Sequence, residues 1–297
     1  MDILQEFNSE DLYMRYAVDE NPDDRNFAMH VHEQCEIFYF VSGNAEYLVE
    51  GAKYLLKPGS ILIMRPSESH RTKILGNGKY ERYAINFSVS IIDNIDPQRR
   101  LIKAFFDRPP GRGNLYLPTE FEDKNMRKFF SEMCSGADDY EKRLRILTRL
   151  FLLLNMINNA FLTRSSSEYL PPQSIPEKMV SYVNTHLFDE LSVPILAEHF
   201  FLSTSQFSRI FKQATGAAPW VYITIKRLTA AREKIRNGFS AQNASERCGF
   251  GDYSAFYRAY VKYFGYPPQK DITYVPSHNY AIDSGKFKFS DVSYKFF

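Results

Sequence analysis

Apolar and polar positions divide this 297-residue chain into two textures. From residue 36 to residue 88 the apolar residues come in short runs cut by turn signals. Residues 36–41 (EIFYFV) end at Ser42-Gly43-Asn44, residues 47–49 reach the turn Glu50-Gly51-Ala52-Lys53, and residues 54–56 end at Lys57-Pro58-Gly59. Residues 61–64 (ILIM) run into a loop over 66–69, and a further strand covers 82–88. Strands about ten residues apart, with turns between them, predict a β-barrel or sandwich.

After residue 120 the period changes to that of a helix. Residues 121–134 are charged and amphipathic, and Gly136 breaks them. From Asp139 two apolar stripes overlap. Leu144, Leu147, Phe151, Leu154 and Asn158 follow the spacing of a coiled-coil seam, and Ile146, Leu150, Leu153 and Ile157 form a second stripe. A helix apolar on two sides must bury both. One stripe is expected against the barrel and the other against a second copy of the chain; the alternative is burial of both within one chain. Residues 163–168 (TRSSSE) and Pro171-Pro172 read as a linker. Ser174-Ile175-Pro176-Glu177 then restarts a helix, with Met179, Val180 and Val183 on one face.

Residues 191–266 organise the rest. They read as two helix-turn-helix motifs in tandem. In the second helix of the first motif, Phe207, Ile210 and Phe211 make an apolar face, while Ser205, Ser208, Arg209 and Lys212 lie opposite. That polar face is basic and has no acid, as a helix entering the DNA major groove requires: Arg reads guanine edges, and Lys and Ser hold phosphates. Ser203 is placed to cap the helix. In the second motif, Gly249-Phe250-Gly251-Asp252 marks a turn and cap before residues 253–262. Phe256, Ala259 and Tyr260 face inward there, and Tyr253, Ser254, Tyr257, Arg258 and Val261 outward. Gly265 and Pro267-Pro268 end that helix.

Ser203, Phe207-Ser208-Arg209, Phe211-Lys212, Gly216, Tyr222, Arg227, Ala231, Gly249-Phe250, Asp252, Ser254, Phe256, Arg258, Phe264-Gly265 and Pro268 fall in the order and spacing of the AraC/XylS family of bacterial transcription regulators. The stretch resembles that family's DNA-binding domain. The resemblance implies DNA contacts from Ser203, Ser205, Gln206, Ser208, Arg209 and Lys212 in the first motif, and from Tyr253, Ser254, Tyr257, Arg258 and Lys262 in the second. Three departures stand out. Ala241, Ala244 and Ser245 stand where the family usually has Ile, Ile and Ala, which predicts a poorer core at ~0.8 kcal/mol per missing CH₂. Tyr260 replaces the usual Phe. Asp271-Ile272 stands where an aromatic-Arg pair is usual.

The first half resembles a cupin. His30-Val31-His32, three residues, Glu36, six residues and Gly43 match the first cupin motif. The second motif is degraded: Gly59, Pro66 and His70 appear in order, but Glu68 replaces a glycine and the closing Asn is missing. Sensor domains of AraC-type regulators commonly look like this, including a pair such as His70-Arg71. The resemblance implies an effector pocket containing His30, His32, Glu36 and His70. These four could gather around Zn, Fe, Mn or Ni; alternation would point Cys35 away from them. The favoured reading is a hydrogen-bonding pocket with no metal and no cofactor.

Charge sharpens the division. Residues 204–270 hold eleven Lys and Arg against three acids, whereas residues 1–203 hold 23 bases against 29 acids. A basic module joined to an acidic one suggests a polyanion reader carried by something else. Cys35, Cys134 and Cys248 give no disulfide framework. The first residues lack a signal-peptide layout, and the longest apolar run, 150–154, is too short to span a bilayer, so a cytoplasmic bacterial protein is expected. No Gly-x-Gly-x-x-Gly, Walker, Gly-x-Ser-x-Gly or His-Glu-x-x-His motif occurs.

The expectation is an α+β protein. A cupin-like sensor barrel covers residues 1–118, a helical dimerisation segment 119–164, a linker 165–173, a DNA-binding domain with two helix-turn-helix motifs 174–271, and an aromatic tail of unassigned role 272–297. Its expected function is sequence-specific transcription regulation, not catalysis, under a small, polar, sugar-like effector. Double-stranded DNA, the effector, a second copy of the chain and RNA polymerase are the candidate partners, and no membrane is. A metal-dependent cupin enzyme with a helical appendage is the rival reading, and a protein-binding second half a third.

Overall fold

The computed structural model describes residues 2–121, 125–133, 135–164, 174–272 and 287–288. The chain forms two compact units, Met1–Pro171 with Ala281–Phe297, and Pro172–Tyr280.

The first unit is built from β1 (Asp2–Asn8), β2 (Leu12–Asp19), β3 (His30–Val31), β4 (Cys35–Ser42), β5 (Ala45–Val49), β6 (Ala52–Leu55), β7 (Ile61–Met64), β8 (His70–Ile74), β9 (Tyr80–Phe87), β10 (Leu115–Tyr116) and β11 (Phe287–Lys288). One sheet runs β1-β2-β9-β4-β7-β10 and the other β11-β3-β8-β5-β6. Each strand neighbour is antiparallel. The β5–β6 hairpin turns through Glu50 (φ 49°) and Gly51 (φ 80°), the left-handed pair that matches the twist of its strands.

Alternation on β4 sorts its residues onto two cores. Cys35, Ile37, Tyr39 and Val41 join Ile61, Ile63, Tyr83, Ile85 and Phe87 against helices α1 (Val89–Asp93), α2 (Lys103–Phe106), α3 (Met126–Met133) and α4 (Asp139–Thr163). Phe38 and Phe40 join Leu62, Met64 and Tyr80 against Tyr47 and Val49 of the second sheet. Because this sheet is covered on both faces, β4 reads as a continuous apolar run over residues 37–41 rather than an alternating one. Cys35 points away from Glu36, as alternation requires, and its thiol is pushed up by burial. Cys35 and Cys248 are free and buried; Cys134 lies outside the described residues.

Helix α4 shares the barrel's core rather than standing apart from it. Ile146, Leu150, Leu153 and Ile157 are buried, as the second stripe requires. The seam stripe divides. Leu154 and Asn158 are also buried, Leu147 and Phe151 are half-buried against the same core, and Leu144 is exposed. The outward face is instead Leu144, Thr148, Leu152, Asn155, Asn159 and Leu162, again at three- and four-residue spacing. By length and composition α4 could cross a membrane. Its inward stripe against the sheet, with Arg143 paired to Asp11 and Arg149 to Glu132, makes it a core helix.

The second unit is helical: α5 (Ile175–Thr185), α6 (Val193–His199), α7 (Thr204–Thr215), α8 (Pro219–Arg236), α9 (Ala241–Arg247), α10 (Tyr253–Phe264) and α11 (Gln269–Ile272). Phe207 and Phe211 of α7 stack on each other, with Phe200 and Tyr222 at their edges. Phe256 and Tyr260 of α10 pack on Leu228, Ala231 and Ile235 of α8 and on Ala241 and Ala244 of α9. The predicted linker over 165–173 lies outside the described residues. Of the tail, 287–288 form β11, antiparallel to His30–Val31.

Candidate functional site

The four sensor residues predicted from the motif come together. Glu36 lies beside Asn86 in the β4–β9 register, and His30 lies opposite His70 between β3 and β8. The two sheets therefore face each other through these side chains. The ligating atoms of His30, His32, Glu36 and His70 all lie within 4.8 Å of one another. His32 Nε2 is 2.7 Å from Glu36 Oε2, and His70 Nε2 is 3.3 Å from the same oxygen. Asn86 Nδ2 donates to Glu36 Oε2 at 3.0 Å. Glu36 and His70 are fully enclosed, and Tyr47 stacks on His70.

Backbone carbonyls set the tautomers. His30 Nδ1 meets Ala28 O at 3.1 Å, His32 Nδ1 meets Gln34 O at 2.8 Å, and His70 Nδ1 meets Glu68 O at 2.7 Å. A carbonyl only accepts, so each Nδ1 carries the proton and each neutral ring offers its Nε2 lone pair. The Asn86 Oδ1 acceptor is buried and unpartnered. Burial alone would raise the Glu36 carboxyl; with His32 and His70 protonated on Nε2 as well, their hydrogen bonds and charges would hold it well below the usual carboxylate range. The pocket is thus rich in acceptors and suits a group that brings donors or positive charge. Its donor set, imidazole nitrogens and a carboxylate with every Nδ1 tied down, also fits a transition-metal ion.

Asn86 escaped the sequence reading, because it enters from a strand remote from both motifs. Glu68, a departure from the second motif, has its own use. It is buried and accepts from Arg108 at 2.7 and 2.8 Å, from the Gly111 amide at 2.9 Å and from the Arg65 amide at 3.0 Å. That ties the residue 108–114 loop to the β7–β8 connection.

In the second unit the two motif helices present the expected surfaces. Ser203, Ser205, Gln206, Arg209 and Lys212 are exposed on α7 and its cap, and Ser208 is half-buried. Ser203 and Gln206 form a capping box: Gln206 N donates to Ser203 Oγ at 3.2 Å, and Ser203 N donates to Gln206 Oε1 at 3.0 Å. Those two oxygens are spent on the helix end. On α10, Ser254, Tyr257, Arg258 and Lys262 are exposed, while Tyr253 is half-buried against Phe256. Asp252 caps α10 through Ser254 N and Ala255 N.

Part of the basic surplus is internal. Arg227 on α8 donates to the carbonyls of Leu187, Asp189 and Gly249 at 2.6–2.7 Å. This brace crowds Gly249 (φ +78°), where a Cβ would meet Phe188 O at 2.8 Å and Arg227 Cζ at 2.9 Å, so glycine is required. Arg232 and Arg236 pair with buried Asp271. Arg209 and Arg258 have no such duty among the described residues and remain available to a polyanion.

Comparison with known proteins places both halves. Residues 13–154 match the AraC-like ligand binding domain and residues 196–271 a helix-turn-helix domain. The HTH-type transcriptional activator RhaS of Salmonella schwarzengrund is 31% identical over 252 residues, which are 82% of this chain and 86% of RhaS. The HTH-type regulator YobQ of Bacillus subtilis is 24% identical over 246 residues, 82% of this chain and 88% of its own length. Among solved structures, fatty-acid-bound ToxT of Vibrio cholerae aligns over 89% of this chain and 96% of its own at 12% identity, with a TM-score of 0.37. The chain belongs to the AraC family of transcription regulators, with an AraC-like ligand-binding domain ahead of a DNA-binding helix-turn-helix domain.

Proposed function

We propose that this regulator senses a small, hydroxyl-rich, sugar-like effector at His30, His32, Glu36 and His70, with Asn86 as a fifth contact. The supporting observation is a set of acceptors, three imidazole Nε2 atoms, a carboxylate and an amide oxygen, gathered where two sheets meet. Hydroxyl groups bring donors that suit such a set. DNA is read by Arg209 and Lys212 of α7 with Ser205 and Ser208, and by Ser254, Tyr257, Arg258 and Lys262 of α10 with Tyr253. Ser203 and Gln206 present the α7 N-terminus to a phosphate. The chain acts as a cytoplasmic homodimer through the outward face of α4, contacts RNA polymerase when bound, and catalyses no reaction. The test is calorimetric titration of candidate sugars into the full chain and into His32→Ala. Saturable binding lost in the variant supports the pocket; equal affinity in both removes it.

A second reading rests on one contact. With Nδ1 protonated, a neutral His32 turns an Nε2 lone pair toward a carboxylate oxygen 2.7 Å away. That approach is repulsive unless a second proton or a cation lies between them. A divalent ion held by His30, His32, Glu36 and His70 would relieve it and offer Lewis acidity to an effector hydroxyl. Elemental analysis of purified protein decides: stoichiometric Zn, Fe, Mn or Ni supports the ion, and none supports a protonated hydrogen-bonding cluster.

A further inference from the structure

Two of the departures from the family pattern meet in space. Tyr260 lies on α10 and Asp271 on α11, and the Tyr260 hydroxyl donates to Asp271 Oδ2 at 2.5 Å. The same carboxylate accepts from Arg232 Nε at 3.2 Å and from Arg236 Nε at 2.9 Å, both on α8. Arg232 also donates to the Tyr266 hydroxyl, and its guanidinium lies 4.4 Å over the Phe264 ring at the end of α10. Asp271 is 2% exposed. One carboxylate therefore ties the α10 helix, its C-terminal end and the α8 helix together.

The third departure supplies the reason. Under the second motif, α9 contributes only Ala241 and Ala244 to the apolar core, with Cys248 just beyond its end, and α10 fully buries only Phe256 and Tyr260. Small side chains on α9 constrain the angle of α10 weakly, because apolar contact is non-directional. Hydrogen bonds from a phenol and two guanidiniums to one carboxylate are directional.

We propose that Asp271, with Tyr260, Arg232 and Arg236, is a positioning clamp that fixes the angle at which α10 offers Arg258 and Tyr257 to DNA. It takes over in this chain what larger aliphatics on α9 would otherwise do. The inference rests on the reading of α10 as a DNA-contacting helix. Loss of the clamp changes recognition by the second motif and leaves the first, on α7, in place.

The experiment compares the full chain with Tyr260→Phe, Asp271→Asn, Arg258→Ala and the double variant Tyr260→Phe/Arg258→Ala on one operator, by titration and footprinting. Tyr260→Phe keeps the ring and removes the hydroxyl, so it is the variant least able to unfold the domain. Expected are about five- to tenfold weaker binding for Tyr260→Phe, a footprint weakened only over the Arg258-dependent bases, and little further loss in the double variant. Unchanged binding in Tyr260→Phe and Asp271→Asn, beside a loss in Arg258→Ala, overturns the clamp alone. Equal weakening of both halves of the footprint, in step with a lowered melting temperature, also overturns it. No effect of Arg258→Ala overturns the reading of α10 and the clamp with it.

Discussion

Burial of the Glu68 carboxyl would by itself raise its pKa. The Arg108 and Arg65 charges and the Gly111 amide hold it down to about 2 instead. A depressed carboxylate stabilises the fold above its unfolded pKa, and the contribution is lost as pH falls through the folded value. Glu68→Gln should therefore cost about 3–5 kcal/mol at neutral pH, because it leaves Arg108 buried and unpaired. That deficit against the parent should shrink between pH about 4.5 and about 2, as urea midpoints would report. On the DNA face, Arg209→Ala should cost about 1–3 kcal/mol and relax preference at one base. Lys212→Ala should weaken all sequences alike and flatten the salt slope by about one. Equal, sequence-blind losses for the two variants would refute that division of roles. At this scale the histidine cluster was legible, because His30, His32 and Glu36 share one motif and His70 belongs to the remnant of the second. Asn86, Arg108 and the internal duty of Arg227 were not, since each meets its partners only through long-range packing.

Helix α4 shows where periodicity stops informing. The second stripe is buried as its spacing requires, but spacing alone did not say how wide the buried arc is, and the fold splits the seam stripe, drawing Leu154 and Asn158 into the barrel's core and leaving Leu144 exposed. The outward face, the one we propose for a second copy, contains Leu144 and Leu152. Leu152→Glu should yield a folded monomer in sedimentation equilibrium, whereas Leu154→Glu should unfold the unit by burying a charge. An undisturbed dimer in Leu152→Glu would remove this face from the assembly. The monomer should still bind a single half-site and lose affinity for a paired one. Strands with a turn on either side were legible as well; β1, β2, β3, β8 and β10 were not, because their stability comes from neighbours on the sheet. The Ala-rich packing of α9 leads us to expect more affinity from α7 than from α10. Arg258→Ala should then cost less than Arg209→Ala in the same titration.

For the whole molecule, sensing requires that the effector bind one arrangement of the chain better than another, with a coupling of roughly 1–3 kcal/mol in such systems. His32→Ala should abolish the effector response while a 174–272 fragment still binds DNA, measured by mobility shift with and without the effector. The division into a sensor and a reader was legible from charge and texture. The place of the last residues was not, for the aromatic tail carries no motif. It is also where the topology departs from beads on a string. Phe287–Lys288, which follow the second unit in sequence, pair with the strand of the first unit that bears His30. A stop codon after residue 272 would remove the edge strand beside the pocket without touching α7 or α10.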